Sequence, residues 1–164
     1  MTGRRAAALG LVLLLVADAA RAASPPPLPV QPAEERARQR LLPQSHDPLW
    51  TTLAHTAFTA DLAHGVYVPH PPADVRALDG KEVTVSGFML RTDVMPQFIH
   101  YVLTRYTPVC AFCPPGAPNE AIEVTGAHYL RSPEEGLITL RGVLHVKTDG
   151  ASGMFFSLDH AELL

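Results

Sequence analysis

Lys81-Glu82-Val83-Thr84-Val85-Ser86-Gly87-Phe88 decides the fold. Val83, Val85 and Gly87 alternate with Thr84, Ser86 and Phe88, the period of two that puts alternate side chains of a strand on opposite faces. The run comes after Leu78-Asp79-Gly80, whose Asp-Gly dipeptide marks a turn. Beyond it lie four further β-rich runs: Phe98 to Tyr106, Ala121 to His128, Leu137 to Lys147 and Met154 to Leu163. Gly, Pro, Asp or Asn residues separate them, as strand connections require.

Five strands with short connections predict a mainly β fold. Gly87 inside the first strand and Gly142 inside the fourth permit the bends that close a small sheet. A five-stranded OB-like barrel fits best, with an open β-sandwich as the alternative. Alternation then directs Val83, Val85, Ile122, Val124, Leu140 and Leu144 into one core.

Upstream, Asp47-Pro48 offers an N-cap and an N1 proline. Leu49, Trp50, Leu53, Ala57 and Phe58 recur at near-helical spacing, so a short N-terminal helix is expected over Pro48 to Phe58. The prolines of Val66-Tyr67-Val68-Pro69-His70-Pro71-Pro72 hold the next stretch extended, across the surface of the β-rich region.

Residues 1–22 have the form of a signal peptide. Arg4 and Arg5 precede an apolar stretch from Ala6 to Val16, and Ala20-Arg21-Ala22 supplies an A-x-A cleavage site. The apolar stretch is shorter than the roughly 20 residues of a spanning helix, and no later segment approaches that length. The expected product is periplasmic or secreted, begins near Ala23 and has no membrane span after cleavage; an uncleaved anchor is the alternative. Ala6-Ala7-Ala8 lacks the bulky residues that usually follow a twin-arginine pair, and no cysteine near the cleavage site suggests a lipoprotein.

Residues 23–46 pass from a proline run (Pro25, Pro26, Pro27, Pro29, Pro32) to Glu34-Glu35-Arg36-Ala37-Arg38-Gln39-Arg40. The prolines exclude helix and sheet, and the charged segment could make two helical turns but lacks an apolar face. Both read as a flexible linker before a domain at 47–164. Of 164 residues, removal of the first 22 leaves 10 basic and 15 acidic side chains, a formal charge of −5. No Lys/Arg cluster with interleaved aromatics follows Arg40, so nucleic acid is excluded as a partner.

Cys110 and Cys113 are the only cysteines, in Pro108-Val109-Cys110-Ala111-Phe112-Cys113-Pro114-Pro115. In an oxidising compartment such a pair is a disulfide, a redox couple or a metal clamp. A thioredoxin-type couple needs its first thiolate stabilised at a helix N-terminus, whereas Pro114, Pro115, Gly116 and Pro118 disfavour a helix after Cys113, and Pro114 stands where haem attachment needs histidine. A Cys-x-x-Cys pair is half of a tetrahedral zinc site, and with no other cysteine the remaining ligands must be histidines. Among His46, His55, His64, His70, His100, His128, His145 and His160, His100 and His128 lie on the strands flanking the pair and are the preferred candidates. Met89, Met95 or Met154 could contribute to a soft Cu(I) site.

Other signals are weaker. Asp61 and His64 could share a helix face, and Glu134-Glu135 fall in a turn. No nucleophile elbow or phosphate loop appears, so hydrolase chemistry has no support. The expectation is a non-enzymatic binding or accessory module that handles zinc or copper through Cys110 and Cys113. A thiol-disulfide exchange protein and a partner-binding domain with a Cys110-Cys113 disulfide are the alternatives.

Gly80-Lys81, Ser86-Gly87-Phe88-Met89, Cys110-Ala111-Phe112-Cys113-Pro114-Pro115-Gly116 and Asn119-Glu120 before Ile122-Glu123-Val124 together resemble the exported bacterial family known as domain of unknown function 3299. The resemblance runs from about Trp50 to the C-terminus. Family members carry a histidine in the cysteine segment and an unbroken proline run before the asparagine. Phe112, Cys113 and Gly116-Ala117 depart from that pattern. The resemblance implies no particular activity; it implies an envelope setting, with a metal-transport or other envelope protein as partner.

Overall fold

The structure, a computed structural model, describes residues 32–90, 98–108, 116–130, 136–150 and 153–164, with the backbone only at 98–99 and 127–130. The expected signal peptide, Met95, Cys110, Cys113, the Glu134-Glu135 turn and the His128 imidazole lie outside the described residues. Helix α1 spans Ala33–Gln39 and α2 Pro48–Leu53; next come a hairpin, β1 (Ala57–Asp61) and β2 (Val66–His70), and the single turn α3 (Ala73–Arg76). Five strands complete the chain: β3 (Lys81–Leu90), β4 (Phe98–Thr104), β5 (Ala121–Leu130), β6 (Leu137–Val146) and β7 (Phe156–Leu163). None of the described helices is long and apolar enough to cross a membrane.

These five strands close in the order β3-β4-β5-β7-β6, with β5 and β7 parallel and the other neighbours antiparallel. This is the expected OB-like barrel, and the open sandwich is excluded. Closure depends on β3 serving two partners. Its first eight residues pair with β6, from Lys81 opposite Leu144 to Phe88 opposite Leu137, while Phe88 to Leu90 pair with Thr104 to Val102 of β4. At Gly87, beside this changeover, a Cβ would stand 2.8 Å from Leu103 Cγ and 2.9 Å from the Thr104 carbonyl. Only glycine lets β4 approach that closely.

Alternation fills the barrel as expected. Val85, Ile122, Val124, Leu140 and Leu144 are fully buried in one cluster with Tyr101, Leu103 and Leu158, and Val83 packs against it half-buried. Trp50 and Leu53 from α2, Val75 from α3, and Phe155 belong to the same core. The Tyr101 hydroxyl is buried without a hydrogen-bond partner, and burial pushes its pKa upward.

One local expectation is corrected. Asp47 caps α2 through Oδ1 and the Leu49 amide (2.9 Å), but the helix ends at Leu53, and Ala57 and Phe58 lie in β1. The proline-bearing stretch Val66–His70 is extended, as expected, and is the strand β2, paired with β1 from Asp61–Val66 to Ala57–His70. Phe58 stacks edge-on against Tyr67 (5.3 Å) and packs at a tilt against Phe155 (5.5 Å), which joins the hairpin to the core.

The packed region also begins before residue 47, the boundary expected from composition. Ser45, buried, donates through Oγ to the Ser86 carbonyl (2.6 Å). That carbonyl also accepts the Trp50 indole N–H (2.7 Å), and the Ser86 amide donates to Asp47 Oδ2 (2.9 Å). Ser86 thus fastens the N-terminal segment and α2 to the barrel.

Candidate functional site

The β4–β5 connection, residues 105–120, carries both cysteines, and the structure describes its two flanks. On the first, Arg105 to Thr107 run beside Pro43 to Ser45. The Ser45 amide donates to the Arg105 carbonyl (2.8 Å), Gln44 and Tyr106 form an antiparallel bridge, and the Thr107 amide and hydroxyl both reach the Pro43 carbonyl (3.2 and 2.7 Å). The buried Gln39 side chain donates from Nε2 to the Thr107 carbonyl.

On the second flank, Pro118–Glu120 form a 3-10 turn whose side chains bond in two directions. Asn119 donates from Nδ2 to the Ala54 and Thr56 carbonyls (3.2 and 3.0 Å), tying the turn to the end of α2. Glu120 ties the flanks together. Its Oε1 accepts from Arg105 Nη1 (3.2 Å) and the Tyr106 hydroxyl (3.0 Å), and its Oε2 from the Ala117 amide (3.0 Å). Hydrogen bonds to a carboxylate are stronger than neutral ones, so the base of the connection is a fixed frame. Burial, and then the Glu120 charge, raise the pKa of Tyr106.

His100 sits higher on β4, exposed, with Nε2 2.9 Å from Glu123 Oε1. Lys147 Nζ holds the other oxygen of Glu123 at 2.7 Å. The Lys147 hydrogen bond is the largest cause lowering the Glu123 pKa; His100 adds to it and burial opposes it. The register places Thr104 opposite Ala121 at the connection, His100 opposite Thr125 and Phe98 opposite Leu130. At about 3.3 Å per residue, His100 stands roughly 13 Å from the connection and the His128 backbone roughly 23 Å. His100 is therefore not brought beside the described flanks.

The remaining candidates have other surroundings. Met89 packs against the barrel core, and Met154 against Leu90, Val102 and Ala121. Asp61 and His64 meet, not on a helix, but in the β1–β2 turn. Asp61 accepts from the Ala63 and His64 amides, and the His64 ring lies 2.7 Å away and lowers the Asp61 pKa. Among the described residues, no group of three or more His, Cys, Asp or Glu side chains could hold a metal ion. Sequence reading assigned no role to Gln39, Tyr106 or Glu120; the clue was Pro118-Asn119-Glu120, a turn of polar residues placed directly before a strand.

No family model matches the chain, and no curated protein matches it at a significant level. Among solved structures, it is similar to the crystal structure of a DUF3299 family protein from Pseudomonas aeruginosa PAO1. Identity is 18%, the match covers 75% of this chain and 83% of that one, and the TM-score is 0.48.

Proposed function

We propose that the chain is an exported, non-enzymatic binding or accessory module whose functional surface is the cysteine pair of the β4–β5 connection. The bound species is zinc or copper, held by the thiolates of Cys110 and Cys113, and the partner is a metal-transport or other envelope protein. The observation that carries this reading is the frame at the two ends of the connection: Thr107 before the pair and Ala117 after it are both tied to packed elements. A short connection with fixed ends limits the conformations between them, and a preorganised ligand pair loses less entropy when it binds. Thiolates favour zinc and Cu(I) over the hard cations. A histidine from His100 or His128 would complete the site only if the pair lies over the outer face of β4–β5.

The test is Cys113→Ser. Reduced wild-type protein is expected to bind one equivalent of zinc or Cu(I), and the variant to lose it with its unfolding midpoint little changed. Equal metal affinity in the two proteins would overturn the clamp. A lowered midpoint without metal loss would indicate a structural disulfide, whose small loop stabilises less than the usual ~2–4 kcal/mol. Mixed disulfides trapped through Cys110 would indicate thiol exchange.

A further inference from the structure

We draw no further inference here: the strongest candidate, the outer edge of β1, which among the described residues pairs with β2 alone and leaves Ala57, Thr59 and Ala60 exposed, carries nothing because nothing in the structure shows what covers it.

Discussion

Glu123 shows how a single side chain acquires its chemistry from partners far away in sequence. It points out of β5 and accepts from Lys147 and His100, which lie 24 and 23 positions away. Alternation made its outward direction legible, but nothing local marks its partners; they meet because β4, β5 and the end of β6 are brought together by closure of the sheet. Its carboxyl titrates below the ordinary value of 4.5, with the Lys147 hydrogen bond as the first cause. A depressed carboxyl stabilises the fold fully above its unfolded pKa and loses that contribution as pH falls through the folded one. Lys147→Met keeps most of the aliphatic stem and removes the charge. At pH 7 the variant should be less stable by roughly 0.5–1 kcal/mol, discounted for partial exposure. Urea unfolding across pH should show that deficit shrinking as pH drops below 4.5. A deficit that stays constant down to pH 3 would mean that Lys147 contributes by packing and not by charge.

At the scale of elements, periodicity succeeded where one period dominated and failed where two met. Leu49, Trp50 and Leu53 are truly helical, but Ala57 and Phe58 continued the spacing by coincidence, and pairing with β2 decided their conformation. Asp61-Leu62-Ala63-His64-Gly65 contained a turn signal, since Gly65 adopts φ 68° there, yet the prolines of β2 obscured the hairpin. A bulge in β7 was invisible for a different reason. Arg141 pairs with Glu162 but Val143 with Asp159, so His160 and Ala161 together face Gly142. His160 takes φ 53°, the only positive value at a non-glycine among the described residues. The left-handed conformation costs an L-residue roughly 1–2 kcal/mol, and glycine avoids most of that while adding flexibility to the unfolded chain. His160→Gly should therefore stabilise the protein by up to about 1 kcal/mol, measured by the denaturation midpoint. Gly142→Ala should do the reverse, because its Cβ would lie 2.8 Å from the Asp159 carbonyl. A loss of stability in His160→Gly would show that the imidazole makes contributions that outweigh the backbone strain.

The whole molecule is defined by closure, and closure also determines where it begins. Composition placed the start of the domain at residue 47, because a proline run followed by a charged segment offers no apolar face. Yet Gln39, Pro43 and Ser45 all bond to the barrel or to the cysteine connection, through the Thr107 and Ser86 backbone. Bonds of this kind carry no hydrophobic signature, so they could not be read from periodicity; they become visible only once β3 and the β4–β5 connection are in place. Their energetic weight depends on which groups would be stranded without them. Removing residues up to 46 leaves the Thr107 groups without their partners and takes the Ser45 hydroxyl from the Ser86 carbonyl, which keeps only Trp50. Each net hydrogen bond contributes about 0.5–1.5 kcal/mol. A chain beginning at Asp47 should thus be less stable than one beginning at Pro32 by roughly 2–4 kcal/mol, after part of the gain is offset by the entropy of ordering the segment. The β4–β5 connection should suffer most, with faster amide exchange at Thr107 and Ala117 than in the β3–β6 ladder, where eight pairs remain. Equal unfolding midpoints for the two chains, with unchanged exchange at those amides, would restore the boundary at 47 and remove the frame on which the proposed binding surface depends.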